Sequence, residues 1–161
     1  MKKKLLITGG SGLLGINWAL TCKDNFEVIL GLNRRIVGIP GVRTEKLRFD
    51  SLSHLTQDFK RIKADIVINA AALTNVDECE KNFSLAKNVN TTLASEISII
   101  CNSLGTKLVQ ISTDHFFSND TKFYNENDKV DLLNNYAKTK HQAELEVMKN
   151  HPSSLIVRTN F

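Results

Sequence analysis

Short apolar runs alternate with longer segments of helical spacing along the whole chain, and this alternation constrains the fold more than any other feature. The runs "KLLIT" (4–8), "FEVILG" (26–31), "KLRF" (46–49), "DIVINA" (65–70), "KLVQIS" (107–112) and "SLIVRT" (154–159) read as strands. Helices are predicted between them over about 13–22, 51–62, 85–104 and 133–150. The clearest spacing is Leu85, Val89, Leu93, Ile97, Ile100 and Leu104, recurring every three or four residues with Gly105 as a stop. Strands that alternate with helices pair in parallel, in a sheet covered on both faces. Right-handed crossovers then give an α/β fold, a doubly wound sheet of order 3-2-1-4-5-6, as one domain over 1–161. In such a sheet ligands bind at the C-terminal strand ends, near the switch between the first and fourth strands.

Three unusual stretches fall at those ends: "TGGSGLLG", "NAAALT" and "STD". In the first, Gly9, Gly12 and Gly15 follow the first strand with the spacing T-G-x-x-G-x-x-G. A turn without side chains lets backbone N–H groups reach a pyrophosphate at a helix N-terminus, and Gly15 lets the helix lie close to the sheet. A tight strand-to-helix turn alone would also account for the glycines. A phosphate loop of the nucleotide-triphosphatase type is excluded, because no Gly-Lys-Ser/Thr follows. After the second strand the chain reads "GLNRR". The acid that binds the ribose hydroxyls of NAD is missing there. Asn33, Arg34 and Arg35 instead suit a 2′-phosphate and favour NADPH over NADH, with a solvated loop as the alternative.

"YAKTK" sets Tyr136 four residues before Lys140, on one helical face that continues through Ala143 and Val147. A lysine on an apolar, sheet-facing stripe needs a reason. A cation there would lower the phenol's pKa from its usual value near 10, so that Tyr136 could pass a proton to a carbonyl oxygen as hydride arrives. Thr113, at the end of the fifth strand, can hydrogen-bond the same oxygen. Tyr136, Lys140 and Thr113 are therefore the candidate catalytic set. An exposed Tyr with a snorkelling Lys is the alternative.

The set "ITGGSGLLG", "VINAAALTNVDECE", "VN", "ISTDHFF", "YAKTK" and "IVRTNF" resembles the dTDP-4-dehydrorhamnose reductase family, in the extended branch of the short-chain dehydrogenases/reductases. It is also similar to that family's relative, the regulatory beta subunit of methionine adenosyltransferase. The resemblance implies an NAD(P)-binding Rossmann domain and reduction of a 4-keto sugar on a nucleotide carrier. It implies that Gly12, Leu13 and Leu14 lie on the pyrophosphate and that Asp50 and Ser51 lie near the adenine. Ala70, Ala71, Ala72 and Thr74 would line the cofactor. Thr113, Asp114 and Phe161 would touch the sugar, with Tyr136 as proton donor and Lys140 as its partner. A regulatory subunit and a sugar-nucleotide epimerase remain alternatives. His115 stands where the family's pattern carries Tyr and reads as a loop residue, with contact to the substrate as the alternative. Family members continue into a smaller substrate domain, so the chain reads as a fragment or a short form whose uncovered apolar surface could drive association, as a homodimer.

Composition excludes other classes. The net charge of +4 is mild, and no stretch interleaves basic and aromatic residues as a nucleic-acid surface would. Cys22, Cys79 and Cys101 are odd in number and widely spaced, which fits thiols in a reducing cytoplasm rather than a disulfide framework. No metal-type Cys/His cluster is visible. The apolar run after the N-terminal lysines is cut short by "TGGSG", too soon for a signal peptide, and no later run is long enough for a membrane span.

Overall fold

The computed structural model describes residues 2–117 and 123–160; the expectation for Phe161 lies outside them. The chain runs β1 (Lys4–Thr8), α1 (Leu13–Cys22), β2 (Glu27–Leu32), β3 (Arg43–Lys46), α2 (Leu52–Ile62), β4 (Ile66–Asn69), α3 (Val76–Lys81), α4 (Phe83–Lys87), α5 (Leu93–Leu104), β5 (Lys107–Thr113), α6 (Asn135–Asn150) and β6 (Leu155–Thr159). The sheet has the expected order β3-β2-β1-β4-β5-β6, and every neighbouring pair is parallel.

Alternate residues of β1 point to opposite faces and so divide the core. Leu6 packs with Ile29, Val67 and Leu108 beneath α2, α5 and α6. Leu5 and Ile7 pack with Val28, Leu30 and Ala19 of α1. That second face is covered over half its width. α1 lies on β1 and β2, whereas Val109 and Val157 stay half-buried and Leu155 on the edge strand is 59% exposed.

Three elements differ from the sequence expectation. The third strand is Arg43–Lys46, not 46–49. Leu47 leaves the sheet edge to close over Gly31, where a Cβ would come within 2.5 Å of Leu47 Cδ1. The apolar residues thus mark the strand's exit, and the strand itself is a charged edge, which resists pairing with another chain. The helix expected over 85–104 is α4 and α5 joined by a π-helical turn, Asn88–Thr92. The turn buries Asn90 and Thr91, and the expected stripe slips out of phase, leaving Leu85 exposed. α3 has no apolar period of its own. Asn75 starts it by accepting a hydrogen bond from the Glu78 N–H at 2.8 Å.

The three cysteines are free, and burial pushes the Cys101 thiol up to about 12. Among the described residues no helix is long and apolar enough to cross a membrane, and no cluster of His, Cys, Asp and Glu could hold a metal ion.

Candidate active site

A cleft of about 930 Å³ opens along the C-terminal ends of β1, β2, β4 and β5. Its floor begins at the glycine turn. Gly9 has φ +68°, and a Cβ there would lie 2.7 Å from the Ala70 carbonyl carbon. The turn after β1 therefore touches the backbone of the segment after β4, and only glycine permits it. Gly12 caps α1 and donates its N–H to the Gly9 carbonyl at 2.9 Å. Gly15 meets Gly10 and Gly9 rather than the sheet: a Cβ would sit 2.9 Å from the Gly10 Cα. The open N-terminus of α1 has no acidic residue in its first turn and faces this cleft through Leu13 and Leu14.

The cleft also collects Asn33 from the end of β2 and Ala70, Ala71, Ala72 and Thr74 from the segment after β4. Arg34 and Arg35 are exposed just beyond it. Asp50 and Ser51 do not line it. The Ser51 hydroxyl accepts from the His54 N–H to cap α2, and the Asp50 carboxylate lies 2.9 Å from His54 Nδ1. The neighbouring Phe49 faces the cleft in their place.

At the other end stand Thr113, Tyr136 and Lys140. Tyr136 sits in the first turn of α6, where Asn134 accepts from the Ala137 N–H at 2.7 Å. Two further contacts fix that turn. Glu80 on α3 accepts from the Asn135 N–H at 2.5 Å. Asn90, buried in the π turn, accepts from the Leu73 N–H at 2.7 Å and donates to the Leu73 carbonyl and to Thr139 Oγ1, each at 3.1 Å. The unexpected α3 and π turn are thus the parts that hold α6 against the cleft wall.

The Tyr136 phenol lies close to the Thr113 side chain. Burial pushes its pKa above the usual 10, and the Thr113 hydroxyl pulls the other way. Lys140 does not enter this balance, in contrast to the expected lysine-driven lowering. Its ammonium donates to the Ile111 carbonyl at 2.6 Å, and burial lowers it to about 8, with the Glu144 charge opposing. A buried chain of donors ends on the same carbonyl. Thr8 Oγ1 donates to Asn69 Oδ1, Asn69 Nδ2 to Gln110 Oε1 at 2.8 Å, and Gln110 Nε2 to the Ile111 carbonyl at 2.9 Å. This chain ties β1, β4 and β5 together beneath the site.

Asp114 does not line the cleft. Its N–H donates to the Thr159 carbonyl at 3.2 Å, and its buried Oδ1 has no hydrogen-bond partner among the described residues. His115 is no mere loop residue, since its ring stands edge-on to Tyr136, with centroids 5.8 Å apart at 88°, and lines the cleft. Sequence reasoning also missed Phe49, Leu93, Glu96 and Ser112. Glu96 left one signal, a carboxylate beside the apolar positions Leu93, Ile97 and Ile100.

Comparison with known proteins agrees with this geometry. The spore coat polysaccharide biosynthesis protein SpsK of Bacillus subtilis is 31% identical over 159 residues, covering 98% of this chain and 53% of that protein. The methionine adenosyltransferase 2 subunit beta of Danio rerio is 29% identical, covering 97% of this chain and 47% of that one. The crystal structure of dTDP-4-dehydrorhamnose reductase from Bacillus anthracis in complex with NADP superposes with a TM-score of 0.84 at 28% identity, covering 98% of this chain and 53% of that one. The chain thus spans about half the length of the relatives it matches. Residues 2–161 match the family described as the RmlD substrate binding domain, and the chain belongs to that family.

Proposed function

We propose that this chain is the cofactor-binding half of a reductase acting on a nucleotide-activated 4-keto sugar, with NADPH preferred over NADH. The observation that carries the reading is a single cleft with a side-chain-free turn at one end and Thr113, Tyr136 and Lys140 at the other. The residues fit a dinucleotide. A Cβ at Gly9 would obstruct the turn, and the helix N-terminus above it carries no acid to repel phosphates. Gly12, Leu13 and Leu14 would hold the pyrophosphate, Asn33 and Arg34 the ribose end, and Ala70, Ala71, Ala72 and Thr74 the middle of the molecule.

When bound, the reduced nicotinamide supplies a hydride to the carbonyl carbon. The protein's part is the proton. A phenol whose pKa is raised by burial stays protonated at neutral pH, which is the form a reduction needs. Tyr136 would donate that proton to the carbonyl oxygen, and Thr113, beside the phenol in the cleft, would orient the same oxygen. Lys140, with a pKa of about 8, is largely ammonium at neutral pH and would steady the phenolate left behind.

The B. anthracis relative, a reductase solved with NADP, supports the reading. The test is thermal stability with NADPH, NADH and no nucleotide. A ligand that binds only the folded chain at a hundredfold excess over Kd adds about 2.7 kcal/mol. A larger shift with NADPH than with NADH supports the cofactor reading and the role of Arg34. No shift with either refutes it for this chain.

A second reading, a non-catalytic NADP-binding regulatory subunit, is favoured by the likeness to the methionine adenosyltransferase subunit. It requires nucleotide binding without turnover of any keto-sugar nucleotide by the longer protein.

A further inference from the structure

The polar row beneath the cleft stands where the fold calls for apolar side chains. Leu6, Val67 and Leu108 lie side by side on β1, β4 and β5, on the face that α5 and α6 cover. One step nearer the strand ends, Thr8, Asn69 and Gln110 form the next row, at 0%, 1% and 1% exposure. Central strands of a covered parallel sheet are filled by Val, Ile and Leu. A matched apolar row would hold the strands about as firmly, because replacing both partners of a buried hydrogen bond by apolar groups can be nearly neutral. None of the three residues lines the cleft. Their use must lie in what they hold in place.

The row has a direction. Thr8 Oγ1 and the Ala71 N–H both donate to Asn69 Oδ1, which leaves Asn69 Nδ2 to donate to Gln110 Oε1. The Gln110 amide is thereby turned with its Nε2 on the Ile111 carbonyl, 2.9 Å away. A carbonyl oxygen has two lone pairs. Gln110 takes one, and the Lys140 ammonium takes the other at 2.6 Å. Of the two donors only Lys140 lines the cleft. Without Gln110 a buried ammonium would have both sides of that oxygen to settle on. The row also joins the two ends of the site, since Thr8 directly precedes the glycine turn and Ala71 lines the cleft.

Resting on the reading of Lys140 as the partner of Tyr136, we infer that Gln110 is a positioning residue. It fills the inner side of the Ile111 carbonyl, in the orientation that Asn69 and Thr8 impose, and so confines the Lys140 ammonium to the side that faces the cleft.

The test reads the ammonium itself by nuclear magnetic resonance, in this chain with isotope-labelled lysine, at mildly acidic pH where Lys140 is charged. The Lys140 signal is the one lost in Lys140→Met. Its protons are expected to exchange with water about tenfold faster in Gln110→Met, which keeps the side chain's length and cannot donate to Ile111. Thr8→Val keeps the shape and touches neither Gln110 nor Lys140. It is expected to raise the rate about threefold, and it decides the matter if Gln110→Met does not fold. Ser98→Ala removes another buried hydroxyl, on α5 and outside the row, and should leave the rate unchanged. An unchanged rate in Gln110→Met or in Thr8→Val overturns the inference, as does an equal rise in Ser98→Ala. In the longer protein, Gln110→Met is expected to lower kcat for a keto-sugar nucleotide about tenfold with KM within about twofold, and to lower it no further in a Lys140→Met background. A full loss in that background overturns the inference. If the wild-type longer protein turns over no such substrate, the reading of the reaction fails, and the exchange rates still decide whether Gln110 places the ammonium.

Discussion

The Lys140 ammonium donates to the Ile111 carbonyl at 2.6 Å. The charge is therefore anchored to the strand whose last residue, Thr113, lies beside the Tyr136 phenol. One strand end positions both members of the pair, and the lysine's charge is kept in a site where burial works against it.

That opposition can be measured. Lys140 is held at about 8, below its usual 10.5. Between these values the unfolded chain binds the extra proton, so stability rises as pH climbs from about 8 to 10.5, and the burial penalty is complete below 8. At 1.36 kcal/mol per unit the penalty is about 3 kcal/mol. Lys140→Met, which leaves Gln110 on the Ile111 carbonyl, is expected to be more stable than wild type at pH 7 by about 1–3 kcal/mol. Urea unfolding at pH 7 and pH 10 should show that gain vanishing at the higher pH. A gain that does not depend on pH contradicts the assignment.

Gly9→Ala is expected to cost about 2–4 kcal/mol, because a positive φ and contact with the Ala70 backbone act together. It should also abolish any NADPH-induced rise in melting temperature. Gly38→Ala, where a Cβ meets nothing within 4 Å, is the control and should change little.

Glu144 is 4% exposed and takes a two-pronged contact from Arg158, at 3.0 and 2.7 Å. The guanidinium also lies 5.1 Å from the Phe116 ring centre. Arg158→Met is expected to cost about 3–5 kcal/mol, since it leaves the carboxylate buried without its partner. Adding Glu144→Leu should recover most of the loss. A double-mutant cycle in urea checks this, and additive losses would rule out the pairing as the cause.

Tyr136→Phe removes the hydroxyl proposed as proton donor and leaves the ring beside His115. Turnover of a keto-sugar nucleotide by the longer protein is expected to fall by at least about a hundredfold. The NADPH-induced thermal shift of this chain should persist. Loss of that shift would mean that the phenol holds the nucleotide rather than serving the reaction.

The sheet order was legible because strand–helix alternation and crossover handedness leave few topologies. The α6 stripe was legible because Tyr136, Lys140, Ala143 and Val147 face the sheet at regular spacing. Other features depend on partners distant in the chain. Nothing local marks Asn90 as the residue that reaches Leu73 and Thr139, or Glu80 as the one that pins Asn135. Polar β3 has no apolar signature, and Leu47 and Phe49 drew attention because they are core residues just past its end. Asp50 and Ser51 fit the adenine by family likeness, yet local capping and His54 engage both side chains.

The π turn between α4 and α5 lets the wall of the cleft carry one residue more than regular winding would hold. An α-helical residue turns the chain by about 100°, and the wider π turn spreads over five residues roughly the sweep of four. α5 therefore keeps its facing, and the surplus residue bulges from the helix where Asn90 reaches Leu73 and Thr139. Removing one residue from Asn88–Thr92 would restore regular winding and leave Leu93 and Glu96 facing the cleft, while the Asn90 contacts that tie this wall to α6 would be lost. What the extra residue supplies is a bridge between two helices at no cost to the direction either of them faces.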